Sequence, residues 1–285
     1  MISIISHKLG EKGKKALIVL FWLAVWQGAS WLTANSLVLV GPLEMAAALG
    51  RLAVTGGFWQ TLGVTFLKIL AGFFTGFLAG FLLGSLSFAC PAAEELAAPP
   101  LAVLRAVPMA SFVILLLIWA GSRYLSVMIS AIVVLPVVYT QILSGLKNTD
   151  PKLRETAKVF RMGTAAKIRY LYLPSLIPWI LTAGQASIGM AWKSGIAAEI
   201  IGTPDWSVGG ALYLAKIYLS TDELFAWTFA AVCLSALSER LFAWVIRQSM
   251  DRRGRRDAAK KRGKTRLTGN GGTEDSKGKG NHDTD

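Results

Sequence analysis

Cysteine and histidine are nearly absent from this sequence. Cys90 and Cys233 stand far apart, each beside or within an apolar block, and His7 and His282 lie at the two extreme ends. That distribution leaves no disulfide framework and no spacing suited to a Cys/His metal site. A membrane-embedded enzyme would need clustered His, Cys or paired carboxylates, and none cluster here. Charge is also scarce: 16% of residues are charged, where a soluble domain carries about a quarter. What fills the space is apolar. Hydrophobic residues make up 53% of the 285, and the mean hydropathy is +0.49.

The apolar residues come in blocks of the length a helix needs to cross a hydrocarbon core of about 30 Å. Six blocks stand out, at about 16–34, 64–88, 101–120, 125–145, 176–198 and 225–246. They predict an all-α integral membrane protein with about six transmembrane helices. Lys8, Lys12, Lys14 and Lys15 precede the first block, as they would a signal peptide. No small-x-small cleavage pattern follows, so this block reads as a retained anchor.

The formal net charge of +13 would suggest nucleic acid if its distribution were ignored. The excess lies outside the apolar blocks, with no interleaved aromatic groove of the kind nucleic acid requires. Lys and Arg gather on the cytoplasmic side of membrane proteins. One set of segments holds the early lysines, the tail, and Lys147, Lys152, Arg154, Lys158, Arg161, Lys167 and Arg169. The opposite set holds only Arg51, Arg123 and Lys216. Both termini are therefore expected in the cytoplasm. Residues 1–60 form an N-terminal segment, first span and outer loop, and 61–247 the main transmembrane domain. Residues 248–285 read as a disordered basic tail, since they have almost nothing apolar to bury. "GKT" at Gly263–Thr265 lacks the upstream glycine of a phosphate-binding loop, Ala258 standing there instead, so no nucleotide site is expected in this chain.

Within the second block, Gly72, Gly76, Gly80 and Gly84 recur every fourth residue. That spacing makes one bare helix stripe against which another backbone can pack.

The cationic stretch "RETAKVFRMGTAAKIRYLYLP" separates two apolar blocks. Leu153, Ala157, Phe160, Thr164, Ile168 and Leu171 recur at spacings of three and four, with the basic residues mostly off that stripe. This is an amphipathic pattern. It breaks near Gly163 into two short helices, opens at Asp150-Pro151 and ends at Leu173-Pro174. Physics alone leaves two options: a helix lying on anionic lipid, or one that fits a groove on a cytoplasmic partner.

The order of features within the stretch resembles the cytoplasmic "EAA" loop (147–174) of ABC-importer permeases. Glu155, Thr156 and Ala157 occupy the first three places, and Leu171, Leu173 and Pro174 the last. Two positions depart from the pattern. Thr156 replaces an alanine, and Arg161 stands where a glycine is expected, with Gly163 two places later, which blurs the turn. The resemblance runs from about Thr61 to Arg247. "TLGVTFLKILAGFFTGFLAGFLLG", "LAVLRAVPMASFVILLLIWAG", "GMAWKSGIAAEIIG" and "LSTDELFAWTFAAVCLSALSER" are similar to the nitrate/sulfonate/taurine subfamily. Glu199 holds the Ala-Glu position, and Ser207-Val208-Gly209 stands for a Gly-Leu-Gly.

The resemblance implies the type I importer (MetI-like) fold in a bacterial cell membrane and a permease homodimer contacting lipid. It also implies an extracytoplasmic solute-binding protein and two cytoplasmic ATPase subunits that use ATP and Mg; no cofactor falls to this chain. Glu155, Thr156, Ala157, Phe160, Gly163, Leu171, Leu173 and Pro174 would then dock the ATPase. Lys193 lies inside the fifth block, where the family has small or apolar residues. With Glu199 it is a candidate for the translocation pathway of a small anionic solute. A charge at that depth either snorkels or binds a carbonyl or carboxylate on another span, or else lines the pathway. Six residues along a helix is about 240° of rotation, so Lys193 and Glu199 should not pair with one another. The rival reading is a secondary transporter without an ATPase. It predicts internal repeats around a midplane site; none is visible between the first and second three spans.

Overall fold

In the computed structural model, residues 11–33, 35 and 37–269 are described. Among them every regular element is helical. In chain order these are α1 (Glu11–Thr33), α2 (Pro42–Ala53), α3 (Gly56–Ala89), α4 (Pro91–Ala106), α5 (Met109–Ala120) and α6 (Leu125–Lys147). After them come α7 (Pro151–Val159), α8 (Thr164–Lys167), a π-helical turn (Ile168–Tyr172), α9 (Leu173–Gly202), α10 (Val208–Ile217) and α11 (Thr221–Gly269). Contacts divide the chain after Glu239. The second unit, from Arg240, is the C-terminal stretch of α11.

Helix α6 is the axis of the first unit. Leu125, Ile129, Val134, Val138 and Ile142 along it are completely buried, with α3 on one side and α9 on the other. On the α3 side the glycine stripe lies against α6 backbone. A Cβ at Gly72 would sit 2.4 Å from the Val127 carbonyl oxygen, and one at Gly76 2.4 Å from that of Ala131. The stripe is a packing seam, and Tyr139 adds a buried hydroxyl bond to Ser87 across it, 3.2 Å long. On the α9 side, Ser130 donates to the Ala191 carbonyl at 3.2 Å. Gly195 leaves room there for Ile69 and Ser130.

Four expectations change. First, block 101–120 is not one helix: α4 and α5 meet at 104°. Val107 is extended (φ −70°, ψ 131°) ahead of Pro108, which caps α5. A residue before proline is sterically pushed out of the helical region. Second, the count of six spans is not reached by length and apolarity. Among the described residues four helices qualify, or five with the bent pair taken as one span. The fifth expected block lies in α9, which at 30 residues is about 45 Å long but is diluted by Lys193, Glu199 and several small polar residues.

Third, Leu173-Pro174 ends the cationic segment and opens the next span as expected, but the backbone stays helical across the join. The Leu173 N–H bonds to the Ile168 carbonyl, five residues back. Pro174 then sits in the first turn of α9, where its missing N–H costs nothing. Fourth, α11 runs on through Gly269, across a stretch expected to be disordered. Its Ala, Arg and Lys are strong helix formers, so the sequence is compatible with a helical backbone there. Residues 270–285 of that tail, like the lysine of position 8, lie outside the described residues.

Candidate functional site

Three places carry the chemistry: the loop between α6 and α9, a buried carboxylate at the end of α9, and the free face of α9.

The loop opens as its sequence implies. The Asp150 carboxylate accepts from the Lys152 N–H at 2.9 Å, and Pro151 begins α7. It closes better than expected. Arg161 adopts the left-handed conformation, φ 46°. The Met162 N–H reaches back to the Ala157 carbonyl at 3.0 Å, and the Arg161 N–H to that of Lys158 at 2.9 Å. Those two bonds make a Schellman cap at the place where the family pattern has glycine. The turn is therefore sharp and held by a strained arginine, and the earlier reading of a blurred turn is corrected. Gly163 caps α8 from an extended conformation instead.

The loop's residues divide by exposure. Ala157 and Leu171 are buried within it, lining a concavity with Arg154, Glu155, Lys158 and Lys167. Glu155, Thr156, Gly163 and Pro174 are exposed, and Leu173 is half-buried. The most open aliphatic and aromatic surface is Val159 and Phe160, 80% and 75% exposed, with Leu153, Ile168 and Tyr170 also exposed. Val159 was not anticipated, because the helical stripe drawn through Ala157 and Phe160 places it to one side.

Glu199 is completely buried and tied to two other elements. The Thr65 hydroxyl of α3 donates to its carboxylate, 2.9 Å from one oxygen and 3.2 Å from the other. The same hydroxyl accepts from the Val208 N–H at 3.0 Å, and the Gly209 N–H donates to Glu199 Oε2 at 3.2 Å. These are unpaired first-turn donors of α10, where a carboxylate also meets the positive end of the helix dipole. Lys68 lies within electrostatic reach. A Cβ at Gly209 would come 2.3 Å from that of Glu199, so glycine is obligatory there. Ser207 caps α10 by accepting from the Gly210 N–H at 3.0 Å. The Ser-Val-Gly sequence thus does the structural work of a Gly-Leu-Gly, and the glycine that matters is retained. Nothing in the sequence singled out Thr65.

Lys193 points the other way, exposed on α9 while its neighbours Trp192 and Ser194 are buried. The open face also carries Thr182, Gln185 and Met190. Lys193 and Glu199 are not brought together, as the helical rotation required.

No protein-family model matches the sequence. A putative aliphatic sulfonates transport permease protein, SsuC of Escherichia coli, is 30% identical over 223 residues, covering 77% of this chain and 82% of the relative. The chain belongs to the ABC-transporter permease family of the sulfonate and taurine importer type. The Bacillus subtilis protein of the same name is 27% identical over 72% of this chain and 74% of its own. The taurine transport system permease protein TauC of Escherichia coli is 24% identical over 81% of this chain and 88% of its own. Membership of this family makes the chain a multi-pass membrane permease, a transport subunit and not an enzyme.

Proposed function

We propose that this permease forms the translocation pathway of an ATP-driven importer for a small anionic solute. A solute-binding protein delivers the solute from outside, and cytoplasmic ATPase subunits dock on the loop 147–174. Both termini face the cytoplasm, where the basic segments gather. Two copies enclose the pathway, each contributing the open face of α9. ATP and Mg are handled by the ATPases; closure of those subunits moves the loop, and the loop moves α9 through the continuous π-helical turn.

The observation that carries this reading is Lys193. It is a cation on α9 of the first unit, exposed beside Thr182 and Gln185 on a chain that exposes many Leu, Phe, Val and Trp side chains along its helices. A charge facing lipid at that depth is costly, whereas one facing a hydrated pathway is not. The relatives are named for sulfonates and taurine, solutes that carry an anionic group an ammonium would attract. Lys193→Met in the intact complex tests it, with Lys193→Arg alongside. Uptake of an anionic solute is expected to collapse in the first and to fall only modestly in the second, at equal membrane abundance. Normal uptake by Lys193→Met would overturn the pathway role.

A further inference from the structure

The first unit ends on Glu239 of α11, a carboxylate inside the candidate span Thr221–Ile246. It is half-buried, and its carboxylate rests on α9: a Cβ built on Gly189 would lie 2.8 Å from Glu239 Oε1. Among the described residues the carboxylate makes no hydrogen bond or ion pair, and neither does the Lys193 ammonium. Glu199, by contrast, is fully engaged with Thr65 and Gly209.

The two unpartnered charges are neighbours. Gly189 and Lys193 are one turn apart on α9, a rise of about 6 Å and a rotation of about 40°. Helical side chains lean back over the turn N-terminal to their own Cα, so the stem of Lys193 is directed over Gly189, where the carboxylate sits. The glycine is a notch: with no side chain there, a carboxylate from the last span can lie within one lysine rotamer of the ammonium.

The geometry points to Glu239 as a counter-anion within reach of Lys193, able to swing onto the ammonium between transport cycles and displaced when an anionic solute arrives. This rests on the pathway role of Lys193. It adds a specificity-determining residue on a different span. A solute anion must compete with an attached carboxylate, which screens out weakly bound anions and prevents a naked cation from standing in the membrane between cycles. If the carboxylate holds the ammonium about nine-tenths of the time, the apparent dissociation constant is raised about tenfold.

The test uses the full-length permease in lipid nanodiscs, with ethanesulfonate, taurine and bicarbonate as probes read by thermal shift. Glu239→Gln is expected to bind ethanesulfonate about tenfold more tightly than the native chain. Lys193→Met should not bind it, and the double variant should match Lys193→Met. Gly189→Ala provides an arm that keeps both charges. Its methyl displaces the carboxylate from its seat and should shift affinity in the same direction as Glu239→Gln, should that variant fail to fold. The melting temperatures of the two single variants and the double should be non-additive, since the two groups interact. Loss of binding in Lys193→Met with native affinity in Glu239→Gln and Gly189→Ala overturns the role of Glu239 and leaves the Lys193 reading standing. Native binding by Lys193→Met overturns that reading and this inference with it. Non-additive melting without a change in affinity makes the pair a structural tie and overturns displacement. No shift with any probe in any variant overturns both.

Discussion

Gly76 offers the most direct measurement of what holds this bundle together. In lipid the apolar surfaces of two helices gain little by leaving their surroundings, so association rests on dispersion and close approach. A methyl at Gly76 would stand 2.4 Å from the Ala131 carbonyl oxygen, 2.9 Å from its Cα and 3.0 Å from its carbonyl carbon. All three are backbone atoms of a buried helix and cannot rotate aside. A tolerable carbon-to-oxygen contact is about 3.3 Å, so α3 and α6 must separate locally by roughly 0.9 Å. A gap of that size forfeits a quarter to a half of each dispersion contact, and with about 25 cross-seam contacts per flanking side chain at about 0.15 kcal/mol the loss is about 1–2 kcal/mol for each. Phe73 and Ile69, both fully buried, adjoin this seam. Relief by tilting reduces the sum, and about 2 kcal/mol remains, within the range of overpacked cores.

Gly63→Ala is the matched control, because the space around that position is open. Both substitutions gain the same helix propensity, about 1 kcal/mol, so their difference isolates the contact. The native chain, Gly76→Ala and Gly63→Ala are to be compared by thermal unfolding in nanodiscs. Gly76→Ala should be the least stable and Gly63→Ala slightly more stable than the native chain. Gly84→Ala should fall between them, its closest approach being 3.0 Å to the Tyr139 carbonyl. Equal stability of the Gly76 and Gly63 variants would show that the seam is not under contact and would refute the packing argument.

The remaining predictions concern the loop and the buried carboxylate. Thr65→Val keeps the shape but strips the hydroxyl from Glu199 and Val208, leaving two buried groups short of a partner. A loss of about 1–3 kcal/mol in melting experiments is expected, and an unchanged melting temperature would show that water or rearrangement replaces the hydroxyl. Arg161→Gly should remove about 1 kcal/mol of left-handed strain and slow amide hydrogen exchange across α7; faster exchange would mean that the arginine side chain stabilises the turn in another way. Phe160→Asp should abolish co-purification of the ATPase while the membrane unit still folds, because the carboxylate would be buried unpaired in the docking contact. Full recovery of the ATPase with this variant would return the loop to the lipid surface.

Much of this was legible in the sequence where one residue type has one physical use. Glycines four apart meant close approach, and they meet α6 backbone. Asp150-Pro151 meant a capped helix start, and it is one. The failures share a cause: the meaning of a residue depended on a distant partner or on backbone conformation. Arg161 looked like a defect because side-chain identity hides φ, and the bonds of Met162 and Arg161 show that the turn survives. The helical join at Pro174 was hidden because a proline in the first turn and a proline that ends a helix read alike without the π-type bond from Leu173 to Ile168. The burial of Ala157 by its own loop was hidden because the helical stripe does not say which side the rest of the loop covers. Thr65 and Glu239 carry no local signal, since each acquires its role only when α3 or α11 is laid against α9.

The same dependence explains how α9 serves two purposes at once. Glu199, Ser194 and Ala191 face inward, and there every charge and hydroxyl has a partner: Thr65 and Gly209 for the carboxylate, the Met190 carbonyl for Ser194, and Ser130 for the Ala191 carbonyl. On that side the carboxylate and the hydroxyls are engaged, and the buried Trp192 indole N–H alone makes no hydrogen bond among the described residues of α9. Outward lie Lys193, Gln185 and the Gly189 notch, where the charges are incomplete. Evolutionary cost runs the same way, because an unmatched charge within a membrane is retained only where something else meets it. Paired carboxylate and hydroxyls therefore mark the packed face of α9, and unpaired charge the face proposed to line the pathway. The rotation of about 240° between Lys193 and Glu199 lets a single helix anchor the bundle with one charge and leave the other on the face proposed to meet the solute.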